Sequence, residues 1–100
     1  MAEGLPLDTP ATAARRVVTV CNQKGLHARA AARFVKLAGR YTARVTVTRG
    51  GQSVGGLSIL GLMKLAAGTG VEIEISAVGV DAEAALEALC ALVECGFDED

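Results

Sequence analysis

The chain holds a single histidine, in the stretch Lys24-Gly25-Leu26-His27-Ala28-Arg29-Ala30-Ala31-Ala32, where a short apolar run gives way to helix-forming residues. A helix start presents unpaired backbone N–H groups and the positive end of the helix dipole. An anion bound there is stabilised by the backbone itself, with the amides of Ala28 and Ala30 in reach. A neutral imidazole at such a place is a nucleophile. If it takes up a phosphoryl group, the product is an anion already seated at an anion site. Arg29 adds a fixed positive charge and a planar fork of donors that suits phosphate oxygens. The segment therefore reads as one that accepts, holds and passes on a phosphoryl group. The competing reading is a solvated, capping or packing histidine, and local context alone leaves both open.

The elements around it follow from hydrophobic periodicity. Val17 to Cys21 is short, apolar and Val-rich, and reads as a strand. Asn22 to Leu26 is a loop in which Gly25 supplies backbone freedom. Ala28 to about Ala38 is helical, with Ala31, Phe34, Val35 and Ala38 on one stripe and Gly39 as its stop. Ala43 to Thr48 alternates, Ala43, Val45 and Val47 facing inward. Arg49-Gly50-Gly51 signals a hairpin into a returning strand, Gln52 to Val54. Ser58 can cap a short helix to about Leu65. Ile59, Leu60, Leu62, Met63 and Leu65 make that helix apolar nearly all round. Leu62 and Leu65 belong to the core, and part of the rest is left exposed as a partner-binding patch. Val71 to Ala77 alternates again. Asp81 can cap a last helix with Ala82, Ala85, Leu86, Leu89, Leu92 and Val93 on one face, ended by Gly96.

The order β-α-β-β-α-β-α with alternating strands predicts an α+β fold. It is a two-layer open-faced sandwich, a four-stranded antiparallel sheet with three helices on one face. Residues 1–14, with Pro6 and Pro10, read as a mobile leader and residues 15–100 as one domain. Ten basic and eleven acidic residues give a net charge of −1, which argues against nucleic acid as a partner. The basic residues gather between Arg15 and Arg49, and the chain is acidic from Val71 onward. Cys21, Cys90 and Cys95 are odd in number and lack CxxC spacing, so neither a zinc site nor a disulfide framework is expected. No apolar run reaches the roughly 18 residues that would span a bilayer. A cytoplasmic monomer with no metal, no cofactor and no membrane insertion is the expectation.

Gly25-Leu26-His27-Ala28-Arg29 with Ala31-Ala32, followed about thirty residues later by Ser58-Ile59 opening a short apolar helix, resembles the HPr family. These are the histidine-containing phosphocarriers of the bacterial phosphotransferase system. The likeness covers roughly residues 15–96, and the element order is also the family's. By that resemblance His27 is the phosphoryl acceptor, taking phosphate on Nδ1 from enzyme I and handing it to an enzyme IIA domain, and Arg29 steadies the phosphoryl group. Ser58 matches the serine modified in some bacteria by an HPr serine kinase/phosphorylase. Ile59, Leu60 and Met63 match partner-facing positions, with Lys36 as a further contact. The ending Gly96-Phe97-Asp98-Glu99-Asp100 looks like that of nitrogen-branch carriers, and the sequence leaves sugar transport and nitrogen regulation both open. The family's usual proline after the arginine is replaced by Ala30, which is helix-compatible and adds an N–H donor.

Such a carrier is an intermediate in phosphoryl transfer rather than an independent catalyst, since in-line attack needs positioning and charge neutralisation more than a strong base. One rival is a regulatory docking module of the same fold, controlled through Ser58, that binds partners without transferring phosphate. His27 paired with Arg29 disfavours it. A small-molecule-binding domain is the other, and scarce aromatics offer it no lined pocket.

Overall fold

The computed structural model describes residues 13–99. Its elements run β1 (Ala13–Thr19), α1 (Ala28–Ala38), β2 (Arg44–Arg49), β3 (Gln52–Gly55), α2 (Ile59–Lys64), β4 (Glu72–Val78) and α3 (Ala82–Glu94). The four strands form one sheet in the order β1-β4-β2-β3, with every neighbouring pair antiparallel. The expected open-faced sandwich is therefore the observed fold.

Alternation decides which face of the sheet is covered. Val45 and Val47 of β2 and Ile73, Ile75 and Ala77 of β4 turn inward and are buried. Arg44, Thr46, Thr48, Glu72 and Glu74 take the other face, in contact with solvent. Helix α1 buries Ala30, Ala31, Phe34 and Ala38, while Val35 packs only partly. Helix α3 buries Ala82, Ala85, Leu86, Leu89, Cys90, Leu92 and Val93. Phe34 and Phe97 are among the largest fully buried side chains. Truncating a buried Phe to Ala typically costs about 3–5 kcal/mol. The three cysteines are free thiols, and burial pushes the Cys90 thiol up from its ordinary value against the opposing charge of Arg16. Among the described residues no helix is long and apolar enough to cross a membrane.

Two details correct the sequence reading. The first strand starts at Ala13 and ends at Thr19, so Ala13 and Ala14, read as the end of a leader, pair with Val78 and Ala77. Alanine carries little strand signal, and the partner strand recruits them. Pairing continues past Thr19 through Val20, whose N–H donates to Val71 and whose carbonyl accepts from Gly70. The remainder of the expected leader lies outside the described residues. Asp81, expected to cap α3, stands at that position but makes no side-chain cap bond. Its carboxylate accepts the Thr42 N–H at 2.7 Å and its own N–H donates to the Thr42 carbonyl, clamping the start of α3 to the loop after α1.

Candidate functional site

The loop that delivers the histidine is fixed by backbone geometry. Gly25 has φ +65°, and a Cβ there would meet the Ala67 carbonyl oxygen at 2.4 Å and Gly68 Cα at 2.7 Å. Only glycine suits both the conformation and the space. The Leu26 N–H donates to that same Ala67 carbonyl, and the Thr69 hydroxyl donates to the carbonyls of Asn22 and Gln23. The segment after α2 thus braces the loop, and Leu26 is buried beside it.

His27 is the N-cap of α1, with extended backbone (φ −79°, ψ −177°). Its carbonyl accepts the Ala31 N–H, and its ring Nδ1 accepts the Arg29 N–H at 3.3 Å. The imidazole plays the part usually taken by a Ser or Asp cap. Nδ1 acts here as an acceptor, so it holds a lone pair rather than a proton. Among the described residues no acceptor meets the amides of Ala28 and Ala30 in the same first turn. Ala30 is fully buried, so the residue that replaces the family's proline sits under the helix start and packs there.

The other ring nitrogen is engaged as well. Nε2 lies 2.6 Å from Glu99 Oε2, and the two side chains are 27% and 17% exposed. With Nδ1 an acceptor, Nε2 carries the proton and donates it. The second Glu99 oxygen accepts from Asn22 Nδ2 at 2.9 Å, and that amide also donates to the Gly25 carbonyl at 2.9 Å. Two acceptors around one nitrogen fix which way the Asn22 amide points. The Asn22 hydrogen bond first, and then the His27 hydrogen bond, hold the Glu99 carboxyl below the usual carboxylate range, helped by the charge of Arg33 against partial burial.

Glu99 reaches the ring because α3 ends in a fixed reversal. Gly96 has φ +73°, its N–H donates to Val93, and the Phe97 N–H donates to Leu92, which is the Schellman pattern with glycine in the left-handed place. Phe97 is wholly buried, and Arg33 donates to its carbonyl. Glu99 N–H then closes a turn on the Gly96 carbonyl. Beside His27 lies a polar cleft of about 340 Å³ lined by Gln23, Lys24, His27, Arg29, Arg33, Asp98 and Glu99. Arg29 is exposed and lines that cleft beside the helix start.

Ser58 caps α2, its hydroxyl accepting the Gly61 N–H at 2.9 Å. Leu62 and Leu65 are buried, whereas Leu57 (64%), Ile59 (39%), Leu60 (72%) and Met63 (38%) are exposed, so the short helix does present an apolar patch. Helices α1 and α2 pack against each other, which sets that patch and the His27 turn on neighbouring elements. Lys36 is not part of the His27 cleft. It lines a separate hollow with Arg33, Leu37, Arg40, Leu92 and Asp98. Sequence reasoning placed His27, Arg29 and Ser58 correctly at helix starts but missed Asn22, Arg33 and Glu99. Gly96 is legible as the stop of the last helix, but nothing in the sequence places the acidic ending beside His27.

Fold and site define a class of small open-faced sandwich with one histidine capping the first helix beside a cationic cleft. Residues 14–95 match the family described as PTS HPr component phosphorylation site. The chain is 46% identical over 88 residues to the phosphocarrier protein NPr of Shewanella violacea, covering 88% of this chain and 97% of that protein. It is 47% identical over 83 residues to the phosphocarrier protein HPr of Pseudomonas aeruginosa, covering 82% and 92%. The crystal structure of HPr from Bacillus anthracis superposes with a TM-score of 0.78 at 46% identity, covering 81% of this chain and 96% of that one. This chain belongs to the HPr family of phosphotransferase-system phosphocarriers, which includes proteins of the NPr type.

Proposed function

We propose that this protein accepts a phosphoryl group on His27 Nδ1 from enzyme I of the phosphotransferase system and passes it to an enzyme IIA domain. The observation that carries the reading is the orientation of the ring, with the Nδ1 lone pair at the helix start. In-line attack from Nδ1 puts the phosphoryl oxygens among the amides of Ala28, Arg29 and Ala30. Arg29 neutralises the transferred charge through its fork. The group is held by a covalent bond from Nδ1 to phosphorus, which is labile because the ring is a good leaving group, while hydrogen bonds and charge only orient its oxygens. Ile59, Leu60 and Met63 form the apolar part of the docking surface, and Lys36 with the arginines of α1 supplies positive charge for acidic partners.

Ser58 serves as the regulatory position in this reading. Its hydroxyl is exposed at the border of the apolar patch, so phosphate from an HPr serine kinase/phosphorylase would place up to about two negative charges on the docking surface. The protein acts as a cytoplasmic monomer.

Incubation with phosphoenolpyruvate, magnesium and enzyme I, followed by mass spectrometry under non-acidic conditions, tests the assignment. Acid-labile phosphate on His27, lost in His27→Ala, is the expected result. Phosphate elsewhere, or none with an active cognate enzyme I, would remove the carrier reading and favour a docking module.

A further inference from the structure

The contact between His27 Nε2 and Glu99 is one that the carrier chemistry above does not use. It spans 72 positions of sequence and is made by a segment held in an unfavourable backbone. Phe97 and Asp98 have φ +58° and +61°, left-handed values that cost roughly 1–2 kcal/mol for Phe97 and less for an aspartate. Burial of the Phe97 ring, the Schellman bonds at the end of α3 and the Arg33 donor to the Phe97 carbonyl hold this turn in place. Its consequence is that Glu99 comes back across the molecule to the edge of the imidazole opposite the nucleophilic nitrogen. The same turn that buries Phe97 delivers a carboxylate to the ring, and a left-handed backbone beside a reacting group points to a role for that carboxylate.

We infer that Glu99 is a positioning residue for phosphoryl transfer, fixing the His27 ring with its proton on Nε2 and stabilising the charge that the ring acquires. The inference rests on the reading of His27 as acceptor. Nδ1 forms a bond to phosphorus as the bond from phosphorus to the donor's leaving atom breaks, and that electron pair leaves with the donor. The His27 ring gives up its lone pair and keeps its Nε2 proton, so it becomes a phosphoimidazolium. Positive charge then grows on a ring whose only N–H is aimed at a carboxylate. That hydrogen bond is stronger in the product than before attack, and the same contact holds the ring plane while Nδ1 reacts. Asn22 in turn holds Glu99 by its other oxygen, so the orienting chain runs from the loop amide through the carboxylate to the ring. Because the two ring nitrogens point in diverging directions, Glu99 supports the ring without standing in the path of the incoming group.

Three full-length proteins test this: wild type, Glu99→Gln and Glu99→Asp. Glutamine keeps the shape but has one acceptor oxygen in place of two, so it can accept from the Asn22 amide or from Nε2–H and not from both. With that oxygen on Asn22 the tail stays latched, so a carboxylate that serves only as a latch would be replaced without loss of transfer rate. The rate of phosphorylation by enzyme I is expected to fall roughly tenfold in Glu99→Gln, as for other residues that orient a reacting imidazole, and to recover in part in Glu99→Asp. The imidazole 15N spectrum of the unphosphorylated protein above neutral pH provides a readout independent of transfer. The wild type should show one tautomer protonated at Nε2, and Glu99→Gln a mixture. Equal rates in wild type and Glu99→Gln, or a faster variant, would overturn the inference, the latter making Glu99 a competing anion. If the wild type itself takes no phosphate, the carrier reading fails, and a 15N pattern unchanged by Glu99→Gln would then overturn the positioning role separately.

Discussion

Two helix starts in this molecule are capped in the same way and surrounded differently. His27 accepts the Arg29 N–H at α1, and Ser58 accepts the Gly61 N–H at α2. Around His27 stand Lys24, Arg29 and Arg33, with Asn22 and Glu99 fixing the ring from its far edge. Around Ser58 stand Leu57, Ile59 and Leu60, all exposed. A cap by itself is only a way to satisfy a backbone donor. On the proposed reading, the chemistry at one end comes from gathered cations and a ring held at both nitrogens, and the apolar rim at the other fits a surface for docking.

The widest separation between the two ends should come from His27→Ala. Phosphoryl acceptance should be abolished, while stability falls only by about 1 kcal/mol for the lost cap. Retained folding is checked by thermal unfolding. Transfer that survives the substitution would erase the distinction between the two caps.

Arg29→Lys keeps the charge but loses the fork. A hydrogen bond to a charged group is worth about 1.5–3 kcal/mol, so stopped-flow or quench measurements should show transfer slowed roughly ten- to a hundredfold. Gly25→Ala adds a side chain at φ +65° against the Ala67 carbonyl. It should lower stability in denaturant titration by about 2 kcal/mol or more, and should drag transfer down with it because the loop carries His27.

At the other cap, Ser58→Asp retains a capping oxygen and adds a charge to an apolar rim. Stability should change by less than about 0.5 kcal/mol, while transfer from enzyme I slows, read as a raised KM for the carrier. The smallest effect is one of pH. The folded Glu99 carboxyl is held below its usual range, so its contribution is present above the ordinary carboxylate pKa and fades as pH falls through the lowered one. The difference in Tm between wild type and Glu99→Gln should therefore shrink on acidification and not on going alkaline.

Legibility in the sequence followed the range of the interaction. The alternation at Val45, Val47, Ile73 and Ile75 exposed the sheet and its covered face, because side-chain direction in a strand is a local property. Gly25, His27 and Arg29 announced a turn into a helix start for the same reason. Asp81 misled because a capping aspartate and one that clamps a distant amide look alike in sequence, and the Thr42 N–H won. Glu99 was invisible because its meeting with His27 depends on where α3 ends and on three left-handed residues after it. No periodicity encodes that.

In the proposed carrier, Nδ1 is the acceptor because the Arg29 N–H of the helix start faces it and Glu99 occupies Nε2. The direct measurement is 15N and 31P NMR of the protein phosphorylated by enzyme I, labelled at the His27 ring. Phosphorus coupled to Nδ1, with the proton retained on Nε2, is the result this account requires. Phosphorus on Nε2 would contradict it, since that nitrogen is reachable only after the Glu99 contact is broken.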